Sequence, residues 1–407
     1  MHILFVHKNF PAQFGHVAAH LVEKKGYECT FVSQRAAGEW RGVRKIQYRL
    51  RGGAKASTHY CSRSFENYTW HSHAVYETLK AHPDVRPDLI VGHSGFGSTV
   101  FLAELYDAPI INYFEYYYHP RDSDIDFRPE FPTRELNRLR ARTRNAMLLL
   151  DLETCAAAYS PTVWQRSRFP AHYQGKIDVI FDGVDTRLWR PTATARKPRR
   201  MIAGREIPDD VRIVTYVARG FESVRGFDIF MRAAARLCRV RTDVVFVCVG
   251  EDRVCYGGDQ HHTGGQSFLE YVLSYDDFDL SRFIFTGAVP PEELARIFSL
   301  SDLHVYLTVP FVLSWSMMNA LSCGCTVLAS ATPPVQEMIT DGENGLLFPF
   351  HDIDRLVELT GRVLDDPAAF APLGVAGRSM IEAQYSLSAV TPQIAQFYDR
   401  TAAQCVR

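Results

Sequence analysis

Short apolar runs recur along this chain, separated by stretches with helical spacing. Residues 2–7 form the first run and predict a strand. Apolar residues at 14, 17, 18, 21 and 22 then share one face of a helix that Gly26 ends. Further runs fall at 29–33, 88–92, 109–114, 156–160 and 177–181. Those at 88–92 and 109–114 are short apolar runs bounded by turn residues, as parallel strands covered on both faces are. Strand and helix in alternation predict an α/β fold with a doubly wound parallel sheet.

The pattern breaks at residues 191–210, rich in Pro, Gly and charge, which read as a linker. It then restarts, with strands expected at 211–217, 244–249, 282–285 and 303–307 and helices at 227–238 and 291–299. The densest stretch is 308–352. It reads as a loop (309–314), a helix (315–322) stopped at Cys323-Gly324, and a buried strand (326–330). A Pro-Pro turn, a helix (335–340) and a last strand (346–348) follow. A loop that feeds a helix N-terminus at the C-terminal end of a strand presents free backbone N–H groups. Open α/β sheets take anionic ligands at such places. The expected domains are 1–190 and 211–384, with a final helix at about 385–407.

A chain of 407 residues is too long for one core, which agrees with two domains. Its net charge of −1 gives no global attraction to nucleic acid, so no nucleic-acid partner is expected. Nine scattered cysteines without a C-x-x-C pair fit reduced thiols and a cytoplasmic location. The first residues lack a signal-peptide pattern, and no run is long enough to cross a bilayer.

Several residues stand where chemistry is expected. Arg219 and Arg225 follow the strand at 211–217, where spacing alone reads as a pair of solvated surface arginines. His93 ends a strand just before a turn containing Gly95 and Gly97. The first strand is followed by a single glycine, which argues against a nicotinamide-binding enzyme. Asp122 and Asp124 form a D-x-D in a polar loop, read as acceptor-binding or solvated rather than as a metal site. Residues 134–144 carry five arginines and one glutamate. A solvated helix face is the default reading, and contact with an anionic membrane surface or a lipid phosphate is the functional one.

The stretch 308–352 resembles the donor-site signature of family 4 glycosyltransferases of GT-B fold. Ala320, Cys323, Gly324, Val327, Ser330, Glu337, Asp341, Gly342, Asn344 and Gly345 are among the matching positions. The family's glutamate pair would stand at 311 and 319, where this chain has Phe311 and Asn319. N-F-P-x-Q-F at 9–14, Y-F-E-Y-Y-Y at 113–118, S-P-T-x-W-Q at 160–165, D-G-V-D-T at 182–186 and P-F-V-L-S-W-S at 310–316 resemble one subgroup. Phe311 is expected in that subgroup, and Asn319 remains a departure.

The resemblance implies two Rossmann-like, doubly wound parallel-sheet domains facing a central cleft, the first for an acceptor and the second for a nucleotide-sugar. It implies a retaining, metal-independent transferase with no cofactor beyond its co-substrate, a UDP or GDP sugar. Arg219 and Arg225 would hold the diphosphate and His93 would orient the donor sugar. The amides of Ser314, Trp315 and Ser316 would meet the phosphates, and Asn319 the ribose. Phe311 stands at the sugar-contacting position. Glu115, Asp122 and Asp124 are acceptor-side candidates. The acceptor stays open among small molecules, glycans, lipid-linked species and peptides, with peripheral contact at the inner membrane face compatible with the arginines. Two alternatives stand beside this reading. One is a weakly active or inactive GT-B binding or scaffold protein, suggested by Asn319. The other is a GT-B nucleotide-sugar epimerase, whose acid/base pair the sequence does not display.

Overall fold

All five residues of the first strand, β1 (His2–Val6), are buried, because a neighbour flanks it on each side and helices cover both faces. The other strands of its sheet are β2 (Glu28–Ser33), β3 (Gly38–Trp40), β4 (Val43–Gln47), β5 (Leu89–His93), β6 (Ile110–Tyr113), β7 (Ala157–Ser160) and β8 (Ile177–Val179). Their spatial order is β3-β4-β2-β1-β5-β6-β7-β8. Every pairing is parallel except β3 with β4, which form a hairpin. The winding direction reverses between β1 and β5.

The computed structural model describes residues 1–192 and 199–404. The helix after β1 starts at Gly15 and runs through Lys25 to a left-handed Gly26 at φ 65°. The final helix, Leu387–Gln404, belongs to this unit. The hydroxyls of Tyr398 and Tyr159 lie 3.1 Å apart, and Tyr27 donates to Asp399 at 2.9 Å. Residues 405–407 of the expected final helix lie outside the described residues.

The expected linker holds a hairpin, β9 (Arg200–Ile202) with β10 (Arg205–Ile207), and its residues 193–198 lie outside the described ones. Six strands follow: β11 (Arg212–Gly220), β12 (Val244–Glu251), β13 (Phe283–Gly287), β14 (Leu303–Tyr306), β15 (Val327–Ser330) and β16 (Leu346–Phe348). All are parallel, in the order β13-β12-β11-β14-β15-β16. This is the doubly wound order of a dinucleotide fold, with its reversal between β11 and β14. Aromatic packing fills one face, with Phe221 and Phe227 stacked at 4.4 Å and Phe246 and Phe283 at 5.3 Å.

Helix Trp315–Ser322 stops before Gly324, whose φ is 77°. The turn expected at Pro333-Pro334 and the helix expected at 335–340 are corrected. One short helix, Pro333–Gln336, starts on the prolines themselves, where a missing N–H costs no hydrogen bond.

The two compact units are not continuous in sequence. One comprises Met1–Arg121, Thr133–Gly183 and the chain from Leu387, and the other Asp122–Pro132 and Val184–Ser386. Buried Arg128 holds the small segment in the second unit, donating to Asp228 at 2.7 Å and to the Ser223 carbonyl at 2.8 Å. Asp122 and Asp124 therefore belong to the second unit, whereas the sequence reading set them in the first.

Candidate functional site

In a doubly wound sheet, ligands bind beyond the strand C-termini where the winding reverses. In the second unit that point lies past β11. Arg219 is exposed near the end of β11, and Gly220 follows it. A Cβ at Gly220 would stand 2.1 Å from the Arg253 carbonyl oxygen, so the loops after β11 and β12 meet there. Glu222 comes next and is fully buried. One of its carboxylate oxygens accepts from the N–H groups of Cys255, Tyr256 and Gly257 at 3.1, 2.8 and 3.0 Å. Burial raises its pKa, and the three N–H groups oppose that rise.

A turn of 3-10 helix, Ser223–Arg225, ends at Gly226, which sits at φ 60°. A Cβ there would also lie 2.8 Å from that of Leu307, so only glycine fits. Arg225 is buried beneath the loop after β14. One terminal nitrogen donates to Thr308 Oγ1 at 2.7 Å and to the Tyr306 hydroxyl at 3.3 Å. The other donates to the Val312 carbonyl at 3.3 Å. Of the five N–H donors of a guanidinium, two remain for a ligand. The rings of Tyr256 and Phe311 flank it at 5.3 and 5.8 Å.

The same loop ends on Ser314, the N-cap of helix Trp315–Ser322. The Ser314 N–H donates to Tyr306, and its hydroxyl accepts from Ser316 N–H at 3.3 Å. Trp315 is 47% exposed, so its ring is not part of the core. Asn319 is half-buried, and its carboxamide has no hydrogen-bond partner among the described residues. Arg225, Phe311, Ser314 and the start of this helix are thus brought together, with Arg219 on the strand that leads to them.

His93 lies in the first unit, at the end of β5, and has no exposed surface. Its Nδ1–H donates to the Ser94 carbonyl at 2.9 Å, so Nε2 is the acceptor, 3.4 Å from the Gln13 amide. Burial first, then His7, pushes its pKa well below the usual range. His7, buried against it edge to face at 5.1 Å, is brought down to about 4 by the same burial. Both imidazoles are neutral at pH 7. Glu115 is half-buried after β6, and its carbonyl accepts from Gln165. Asp122 is exposed at φ 52°, its N–H bonded to Asp126 at 2.9 Å, and Asp124 is half-buried. Among the described residues, no three His, Cys, Asp or Glu side chains form a group able to hold a metal.

Residues 25–189 match the family described as glycosyl transferase family 4 group, and residues 199–380 match glycosyl transferases group 1. Both halves of the chain are glycosyltransferase domains. The pair has the GT-B fold. It is similar to sucrose-phosphate synthase from Thermosynechococcus elongatus, with a TM-score of 0.74 and 20% identity over 99% of each chain. It is similar to HepE from Anabaena in complex with UDP-glucose, with a TM-score of 0.70 and 14% identity over 98% of this chain and 100% of that one. By sequence it is 28% identical over 200 residues to D-inositol 3-phosphate glycosyltransferase of Mycolicibacterium smegmatis, covering 49% of this chain and 42% of the relative. The chain spans about half the length of the curated relatives it matches.

Four residues of the second glycosyltransferase domain escaped the sequence reading: Glu222, Tyr256, Tyr306 and Thr308. Tyr306 and Thr308 bracket the end of β14, so the strand prediction itself carried their signal. Glu222, three residues before Arg225, reads as a surface charge until the partner loop is known. Tyr256 lies in a Gly-rich stretch with no periodicity.

Proposed function

We propose that this chain is a retaining glycosyltransferase that moves a sugar from a nucleoside diphosphate to an acceptor, without a metal. The second unit holds the donor and the first unit the acceptor. One observation carries the reading: Arg225 is fixed at the reversal point of the second sheet with two N–H donors uncommitted. Departure of a nucleoside diphosphate builds negative charge on its β-phosphate. Arg225 and Arg219 stabilise that charge, and removal of one such donor raises the barrier by about 2–4 kcal/mol.

The backbone of Ser314–Ser316 and the helix dipole add to the positive field. The unpartnered amide of Asn319 receives the ribose hydroxyls, and Phe311 offers an apolar face to the sugar. His93, being buried, serves by fixing the turn at 95–97, whose Phe96 and Gly97 N–H groups bond its carbonyl, rather than by touching the sugar. UDP and GDP are the donor nucleotides to test first. HepE was solved with UDP-glucose, and one relative is a GDP-mannose-dependent mannosyltransferase.

The test is a thermal-shift screen with UDP, GDP, dTDP and ADP sugars, since a ligand bound only to the native state raises its stability. Nucleotide release with and without EDTA follows, then the anomeric configuration of the product by NMR. No shift with any sugar nucleotide, or an unchanged shift in Arg225→Ala, sinks the reading. Asn319 favours a second one, a binding protein of the same fold. That protein gives the thermal shift and releases no nucleotide.

A further inference from the structure

The reversal point of the first sheet, between β1 and β5, opens on a cavity of about 320 Å³ formed within that unit. Its charge is one-sided. Lys8, Arg140 and Arg144 line it, beside His71, whose pKa burial lowers, and no carboxylate does. Arg144 is half-buried with its guanidinium stacked on the Tyr118 ring at 3.6 Å. It makes no hydrogen bond or ion pair with any described residue, and its Nε is buried. Arg140 donates to Tyr60 and Ser64 at 3.0 and 3.1 Å, and its buried Nε is also without a partner. Neither arginine has a carboxylate within ion-pair distance among the described residues. Lys8 lies over the Phe96 ring at 4.3 Å.

These arginines differ from their neighbours on the same helix, Glu135–Arg144. Arg138 and Arg142 are exposed and do not line the cavity. Beneath the floor, Ser94 and Ser98 donate to the buried carboxylate of Asp151 at 2.7 and 2.8 Å, which fixes the turn of Gly95–Gly97. Stacking and hydrogen bonds hold the two guanidinium groups in place, and such a fork suits an oxygen-rich anion.

We infer that this cavity binds a phosphate group, and that the acceptor of the transfer is a phosphate monoester seated on Arg140, Arg144 and Lys8. The acceptor role rests on the function proposed above, whereas the anion site stands without it. A phosphorylated small molecule and a lipid phosphate headgroup present the same chemistry.

The test reads binding rather than turnover. The full chain is titrated calorimetrically with glycerol 1-phosphate, and is sedimented with phosphatidylcholine vesicles with or without phosphatidic acid. Binding in either arm that weakens at least about tenfold in Arg144→Gln and in Lys8→Gln supports the site. Arg138→Gln should leave it unchanged. Binding in the soluble arm assigns a free phosphate ester, and binding to the vesicles alone assigns a headgroup. No binding in either arm overturns the inference, as does equal weakening by Arg138→Gln. UDP-sugar binding of Arg144→Gln, read by thermal shift, reports separately on the second unit. Its survival shows a folded protein, and its absence in the unmodified chain counts against the donor reading alone.

Discussion

Arg225 and Thr308 join across the turning point of the second sheet, the guanidinium donating to the hydroxyl at 2.7 Å. Thr308→Val keeps the shape and removes the acceptor. It should weaken UDP-sugar or GDP-sugar binding by about 1–2 kcal/mol and, because a buried donor loses its acceptor, lower stability by about 1 kcal/mol or more. Arg225→Lys keeps the charge, loses the planar fork, and should weaken binding at least as much. Calorimetry with the best sugar nucleotide decides, and wild-type affinity in Arg225→Lys would remove the guanidinium from the donor site.

Arg219 is exposed where Arg225 is buried, so salt should separate them. Arg219→Ala should reduce nucleotide affinity several-fold at low ionic strength, with the difference shrinking as salt rises. The deficit of Arg225→Ala should persist. Parallel salt dependences in the two variants would contradict this division.

Asn319→Glu restores a charged acceptor at a position whose present amide is unpartnered. A charge-assisted bond to ribose is about twice as strong as a neutral one, so affinity should hold or rise. Complete loss of nucleotide binding in a folded variant would take residue 319 out of the ribose contact.

Glu222→Ala leaves three backbone N–H groups of the loop at 255–257 without their carboxylate. Stability should fall by about 2 kcal/mol, seen in urea denaturation. Amide exchange should quicken at Tyr256 before it does in β12. Unchanged exchange at 255–257 would show that the carboxylate does not hold the loop.

Asp151 gives a pH signature. Burial raises its pKa from 3.8 to about 6, against the pull of Ser94 and Ser98. The folded state thus binds more protons than the unfolded state in that window, and this residue's contribution to stability falls as pH rises. Neutral, buried His7 acts oppositely, because its pKa is lowered to about 4 and stability grows as pH rises toward 6.5. Asp151→Asn removes only the first effect. Its stability relative to the unmodified protein should increase between about pH 4 and pH 6, by up to about 3 kcal/mol. Parallel denaturation curves across that range would refute the assignment.

Most strands of both sheets were legible because buried parallel strands are largely apolar, as in residues 244–249. The hairpin of β3 and β4 was not. Its turn is Arg41-Gly42, with both φ values positive at 49° and 75°, and an arginine there gives no sequence signal. Helix Arg63–Lys80 was missed because only Ser72, Val75 and Leu79 are buried, too few for an apolar stripe. Arg225 and Ser314 were singled out through the family resemblance of their loops, and periodicity located only the strand ends that those loops follow. Glu222 was not, because its partners are main-chain groups of a distant loop. The burial of His93 was hidden too, since nothing local records that Phe14, Phe96 and Tyr113 surround it.

Arg225 is held by Thr308, Tyr306 and Val312, all groups of the chain itself. A guanidinium on an open surface would have to give up rotamers and water each time an anion arrived. Here that ordering is completed once, when the polypeptide folds, so the diphosphate proposed for this site would meet a dipole field already set in its final orientation.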